Sequence, residues 1–433
     1  MLTDRKRFVA LAIALLAGAA APGRAQDHQH PPSPADEHAA HSGAAHGLFE
    51  THEASGTSWV PETTPMAGPH LTAGRWELMF HGTAYLQYLD ESAPIHRGAR
   101  QLGSINWFMA MARRPLGGGR IGARTMLSLE PWTIRGCGYP DLLATGELCE
   151  GDGLHDRQHP HDLFMEIAGE YTHPLAHGLT WHVYGGPAGE PALGPPAFPH
   201  RRSAMPNPVA PIAHHWLDAT HIAFGVVTGG LSGARWRAEA SAFNGREPDE
   251  DRSGVDLAAL DSLAARVTIR PRPTLALQVS AGHLESAEQD FAGGLRYDIA
   301  RVTASASYER APSAGRTLAV TLAWGSNLER GQRTHAGLAE GSLALTPLDV
   351  LFARGELNSK PSHALHIHEQ PLAILTVGKL QGGYTRFLPP RGGLQLGFGG
   401  ALSAAFVPPS IQPNYGGVGV GVALFAMVRP AAH

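Results

Sequence analysis

Long runs in which apolar residues alternate with small or polar ones constrain this chain more than any other feature. In the run near the C-terminus, every second residue from Val418 to Val428 is Val, Leu or Ala, and Gly, Ala, Phe and Met fill the positions between. A period of two indicates β-strands whose two faces meet different surroundings. The runs cover about ten to sixteen residues, whereas strands of soluble sheets average about 5–6. The alternation therefore predicts strands long enough to cross a bilayer at a tilt.

The connections between these runs alternate between short turns, such as 115–118 and 230–233, and long loops, such as 133–161 and 188–214. Outer-membrane barrels sort their connections in this way, with turns in the periplasm and loops outside the cell, and a soluble β-sandwich has no reason to do so. The pattern predicts an all-β fold, a closed antiparallel up-and-down transmembrane β-barrel of about 16 strands, and it also admits 14 or 18. The candidate strands are 74–89, 101–114, 119–132, 162–173, 178–187, 215–229, 234–244, 261–270, 273–285, 296–309, 315–327, 335–346, 348–358, 371–387, 392–406 and 415–429.

The first 25 residues have the pattern of a secretory signal peptide. Basic residues at 5–7 precede an apolar run over 8–21, and the small residues Gly23 and Ala25 follow at a cleavage position. The apolar run of about 14 residues is shorter than the roughly 20 that a membrane-spanning helix needs. We therefore expect residues 1–25 to be cleaved during export.

The next segment, 26–73, is rich in His, Ala, Pro, Ser and Glu and has no apolar period. Such a composition predicts a disordered, His-rich periplasmic segment ahead of a barrel that occupies 74–433.

From Arg75 to the C-terminus the chain resembles Gram-negative outer-membrane β-barrels, and porins in particular. The His-rich mature N-terminus is similar to that of copper-resistance outer-membrane proteins. The resemblance implies an outer-membrane location, with outer-membrane lipid and the outer-membrane assembly machinery as partners. Barrels of this kind usually end on an aromatic residue, whereas here the last aromatic is Phe425.

The two cysteines, Cys137 and Cys149, lie close together in the sequence. Export places them in an oxidising compartment, where a disulfide is the default state of such a pair. A Cys₂ metal site is the alternative, and it lacks closely spaced additional ligands.

A barrel of about 16 strands encloses an aqueous interior, so the polar strand faces are expected to line it. Both charge signs occur there, as in a porin with a transverse field, although these groups could simply pair with one another. The predicted lumen charges are Arg124, Glu130, Glu166, Glu170, Arg237, Glu239, Arg266, Arg301, Arg354 and Glu356.

Histidine is abundant, with 25 residues, and it clusters in the predicted loops and the N-terminal segment. Imidazole together with carboxylate suits a divalent transition metal such as copper or zinc. Solvated loop histidines without a ligand are the alternative interpretation. The candidate ligands are His155, His159, His161, His214, His215, His221, His363, His366, His368, His28 and His30.

These observations favour an outer-membrane channel or porin-like barrel that passes small solutes or metal ions and is linked to copper handling. A closed metal-binding or adhesive surface barrel is the alternative, and a barrel-embedded hydrolase is less favoured. The sequence contains neither the HExxH zinc-hydrolase pattern nor a phosphate-binding loop with its Lys, so we do not expect an enzyme. The formal net charge of −4 offers no basic field for nucleic acid.

Overall fold

The computed structural model describes residues 52–65, 68–95, 97–313, 315–370 and 372–431. Within them, a closed antiparallel barrel of 16 strands confirms the predicted fold class. The strands are β1 His70–Ala73, β2 Trp76–Ala93, β3 Arg97–Gly103, β4 Asn106–Leu116, β5 Gly119–Leu127, β6 Tyr139–Cys149, β7 Asp152–Gln158, β8 Phe164–Pro174, β9 Thr180–Ala188, β10 Val226–Gly233, β11 Trp236–Phe243, β12 Ser262–Arg272, β13 Leu275–Glu288, β14 Tyr297–Ser313, β15 Arg316–Glu329, β16 Gln332–Ala344, β17 Asp349–Pro361, β18 Ile374–Phe387, β19 Leu394–Phe406 and β20 Gly419–Pro430. Short helical turns occupy Glu130–Thr133, Ala176–Gly178, Phe198–His200, His214–Leu217, Ala219–His221, His363–Leu365, Pro409–Ile411 and Gln412–Tyr415.

The barrel closes between its first and last strands. β2 pairs with β20 from Ala84 opposite Val428 to Ser92 opposite Val420, and its other edge pairs with β4. Four strands lie outside the sixteen: β1 and β3 extend the edges of β2, and β6 with β7 forms a separate hairpin. Every remaining strand pairs with its neighbours in chain order, apart from the β6–β7 insertion between β5 and β8.

The two faces of the strands meet different surroundings, as the alternation predicts. On β19 and β20 the outward side chains are apolar and exposed, with Leu402 at 68% and Val420 and Leu424 at 58% of full accessibility, whereas Phe425 and Met427 point inward and are buried. An apolar belt of this extent is stable only when lipid covers it. Among the described residues, no helix is long and apolar enough to cross a membrane.

Three of the departures from the predicted strand boundaries have a clear local cause. The strand expected over 119–132 ends at Leu127 because a helical turn begins at Glu130, and the Pro131 that follows cannot donate to a sheet ladder. The strand expected over 215–229 begins only at Val226, because residues 214–217 form a helical turn inside the barrel. The predicted long loop 328–334 is a two-residue turn, since Arg330 and Gly331 both adopt the positive φ that tight hairpins require.

Two segments fill the barrel interior. The N-terminal plug, residues 52–65, carries Trp59, which is 4% exposed and packs between the guanidinium groups of Arg237 and Arg270. The inward loop, residues 189–225, joins β9 to β10 and is buried along almost its whole length. The two segments touch where the Ala197 amide donates to Ser55 Oγ at 2.8 Å.

The prediction that 26–73 is disordered is wrong for residues 52–65, which fill part of the barrel interior, and for residues 70–73. Residues 52–65 are ordered by contacts with distant wall residues, which local composition does not register, and residues 70–73 form β1. The sheet therefore begins at His70 and not at residue 74. Residues 26–51, 66 and 67 of that segment, and the predicted signal peptide 1–25, lie outside the described residues.

A disulfide joins Cys137 to Cys149, as predicted, and closes part of the long connection between β5 and β8. The cross-link restricts the loop in the unfolded chain, which stabilises the folded state by about 3 kcal/mol in the chain-entropy model.

We expect the C137S/C149S variant to keep its barrel but to lose protease resistance within 128–163. Limited proteolysis followed by mass spectrometry measures this. Cleavage at the wild-type rate would show that the bond does not restrain the loop.

Candidate functional site

All ten predicted lumen charges lie inside the barrel and are buried or nearly so. They pair largely with each other and with polar groups of neighbouring strands. Arg124 lies 3.2 Å from Glu166, and Arg266 lies 3.2 Å from Glu239. Glu130 is inside as well, although it stands in a helical turn and not on a strand. Opposite charges are therefore compensated in pairs.

The wall arginines also hold the N-terminal plug. Arg124 donates to the Gly56 carbonyl at 2.6 Å, and Arg237 donates to the Thr57 carbonyl at 2.8 Å. Arg266 reaches Thr57 Oγ1 at 3.0 Å. Charged donors form stronger hydrogen bonds than neutral ones in a buried setting, so these contacts fix the plug to the wall.

The inward loop is anchored by a buried ion-pair group. Arg201 donates through Nη1 to Asp218 at 2.6 Å and through Nε to Glu340 of β16 at 2.7 Å, and all three side chains are 1% exposed. Glu340 also accepts from Arg354 at 3.0 Å. The loop and the wall are thus joined by charges that water does not reach.

Five predicted metal ligands gather inside the barrel: His159, His161, His214, His215 and His221 are all less than 10% exposed. Neighbouring rings lie 5.2 to 6.0 Å apart between centroids. Burial lowers the pKa of His159 and of His221 well below the usual range, and the Arg252 guanidinium adds to this effect at His159. Neutral imidazoles are the form that binds metals.

Three of these rings are oriented through Nδ1. His161 Nδ1 lies 2.8 Å from Glu130 Oε1, and His214 Nδ1 lies 2.9 Å from Asp218 Oδ1. His221 Nδ1 lies 2.8 Å from the Asp218 carbonyl, and its Nε2 is buried without a hydrogen-bond partner. Metal-binding histidines are oriented in this way, because a bond at one ring nitrogen directs the other at the metal.

Within the described residues, His215, Glu247 and Glu288 form a buried or half-buried ligand set whose ligand atoms all lie within 4.8 Å of one another. Burial, with the nearby Glu147 carboxylate, raises the pKa of Glu247 to about 8, and burial with His214 lowers the pKa of His215 to about 3. One imidazole and two carboxylates suit a divalent transition metal, since N and O donors bind Zn²⁺ and Cu²⁺ well. A second, more exposed group consists of His283, Glu285 and Asp298.

The sequence did not indicate the two carboxylates of this set. Glu247 begins an acidic loop run and Glu288 ends β13, so only the fold brings them to His215. The one sequence signal that could have indicated these ligands is a carboxylate placed where a strand meets a loop.

The other predicted histidines form an outer group. His155 stacks on His366 at 4.1 Å between ring centroids, and His368 lies 6.0 Å from His366. His363 lies 3.6 Å from Asp290. The triplet His155, His159 and His161 is therefore divided, because His155 belongs to the β6–β7 hairpin. His28 and His30 lie outside the described residues.

No family model matches this chain, and no curated protein is similar to it in sequence. Its fold is similar to that of solved porins and channels. OmpF of Salmonella typhi, determined in complex with daunomycin, aligns at a TM-score of 0.50 and 8% identity over 83% of this chain and 100% of the other. The outer membrane channel DcaP of Acinetobacter baumannii aligns at 0.47 and 10% identity, over 84% and 100%. An anion-selective porin from Comamonas acidovorans aligns at 0.46 and 11%, over 82% and 99%. At such identities the likeness concerns the fold alone, which is a porin-like barrel.

Proposed function

We propose that the protein is a channel of the Gram-negative outer membrane that passes divalent transition-metal ions, copper or zinc, through an interior closed at rest. The exposed apolar belt supports the membrane location, because only lipid covers such a surface stably. The porin-like fold of 16 strands supports a channel. Small solutes and metal ions are its partners, and the assembly machinery inserts it.

One observation carries the metal as solute: five buried imidazoles cluster inside the barrel, and one of them, His215, also forms a ligand set with Glu247 and Glu288. A pore for ordinary solutes has no need of buried imidazole and carboxylate ligands grouped in its interior. Successive ligand sites allow an ion to enter and to leave, which conduction requires. The His-rich composition of 26–73, from which a resemblance to copper-resistance proteins is predicted, agrees with the same solute.

The proposal is tested by metal entry into proteoliposomes that contain a metal-sensitive dye. We expect the wild type to admit Zn²⁺ or Cu²⁺ well above empty liposomes, and the H215Q/E247Q variant to lose most of this flux, by about 10- to 100-fold, because ligand changes weaken metal sites by at least such factors. H335Q is the matched control, since His335 is exposed on β16 and stacks on Trp324. Equal flux in all three proteins would contradict the proposal.

A closed metal-binding barrel is the second candidate, and the filled interior favours it. The N-terminal plug and the inward loop occupy the space through which a solute would pass. If the same liposomes show metal bound by the protein but no entry, this candidate replaces the channel.

A further inference from the structure

A row of three side chains crosses the inner wall where β2, β4 and β5 meet. His81 lies directly opposite Met109, and Met109 lies directly opposite Met126 in the strand registers. The inward loop places His200 over this row. His81 Nε2 lies 2.9 Å from Met109 Sδ, and His200 Nε2 lies 3.4 Å from Met126 Sδ. We call these four residues the sulfur–imidazole cluster.

The two halves of the cluster adjoin one another. The rings of His81 and His200 are 5.6 Å apart, and both pack against Trp107, at 5.2 and 4.6 Å. Met109 and Met126 are each 3% exposed. Each imidazole nitrogen thus lies beside one thioether sulfur, and the strand register sets the two His–Met pairs next to each other.

Packing alone does not account for this arrangement. Methionine fills gaps well beside an aromatic ring such as Trp107, but a thioether is a weak hydrogen-bond acceptor, so a buried imidazole nitrogen gains little from it. The positions are also on the interior face of the wall, which elsewhere carries charges such as Arg113 and Arg124. Five of the nine methionines of the chain share this one buried group, with Met79, Met111 and Met165 completing it.

We propose that His81, Met109, Met126 and His200 bind a soft monovalent metal ion, Cu⁺ or Ag⁺. Thioether and imidazole ligands select such ions over hard cations. The cluster contains no carboxylate, unlike the set around His215. Arg124 also faces it, but Glu166 and Glu170 lie 3.2 and 3.7 Å from that guanidinium and compensate its charge. This site extends the proposed function. It rests on that function only for the route by which the ion reaches the cluster.

The test is titration of the refolded full chain with Ag⁺, with X-ray absorption at the silver edge. We expect one tightly bound ion with sulfur and nitrogen neighbours. The M109L/M126L variant is expected to bind at least about 100-fold more weakly and to lose the sulfur signal, since metal sites respond to ligand changes on this scale. The exchange keeps side-chain volume and apolar character, so the variant is expected to fold.

M427L is the matched control, because Met427 is equally buried, at 3%, but packs in a different cluster. It should bind as the wild type does. Binding by M109L/M126L at the wild-type level, equal loss in M427L, or a metal environment without sulfur would each overturn the proposal. Should M109L/M126L fail to fold, H200Q takes its place, and unchanged Ag⁺ binding by H200Q has the same meaning.

Ag⁺ binding and Zn²⁺ entry together test the cluster and the proposed channel separately. Zn²⁺ entry without specific Ag⁺ binding would refute the cluster and leave the proposed function intact. Specific Ag⁺ binding without Zn²⁺ entry would support the cluster and refute the channel.

Discussion

Deleting residues 52–65 is expected to turn a nearly silent barrel into a steadily conducting one. The N-terminal plug fills part of the interior and is held there by Arg124, Arg237 and Arg266. Once it is gone, water solvates these arginines, and the space resembles the open lumen of other 16-strand barrels. We expect single-channel conductance to rise by about tenfold, since barrels of this size leave an aqueous channel when their interior is free.

Planar bilayers with the refolded protein measure this conductance. Deletion of residues 30–43 is the control, because it removes the same length of chain upstream of the plug. Conductance that stays at the wild-type level in the 52–65 deletion would show that the inward loop closes the barrel without help. A rise in both deletions would assign the effect to chain length and not to the plug.

Replacing Arg201 by Met is expected to lower the free energy of unfolding by about 3–5 kcal/mol, the range observed when one partner of a buried ion pair is removed. Asp218 loses its guanidinium partner, and Glu340 keeps Arg354 as its cationic partner. Because Arg201 joins the inward loop to β16, its loss should also free that loop, and trypsin should then cleave at the neighbouring Arg202.

Urea unfolding in detergent or lipid measures the loss of stability, and a short trypsin digestion measures the release of the loop. R386M is the control, since Arg386 pairs with Asp349 at the surface and is half exposed. Water screens that pair, so R386M should unfold like the wild type. Wild-type stability of R201M would mean that the loop is held by its apolar contacts, such as those of Trp216 and Leu217.

The fold was predictable from the sequence because the two faces of each strand lie in different surroundings. Lipid on one side and a polar interior on the other impose the period of two seen from Val418 to Val428, and this signal is local. The boundary errors arose where local chemistry overrode the period, at Pro131 and at the Arg330–Gly331 turn. The disulfide was predictable as well, since two cysteines in an oxidising compartment allow one pairing.

The site was predictable only in its residue types. The sequence indicated that His159, His161 and His215 were candidate ligands, but not that His155 would separate from them. The sulfur–imidazole cluster was missed, because Met109 and Met126 read as ordinary apolar residues until the register set them opposite each other on the interior face.

The sequence by itself determined a β-barrel, its approximate strand count and its interior-facing charges, because period, turn chemistry and face polarity act over a few residues. Only the tertiary structure decided that the interior is filled and which ligands meet. Arg266 reaches Thr57 across 209 positions and Arg201 reaches Glu340 across 139. Contacts over such distances depend on barrel closure and on the path of the inward loop, and no local pattern in the chain specifies either.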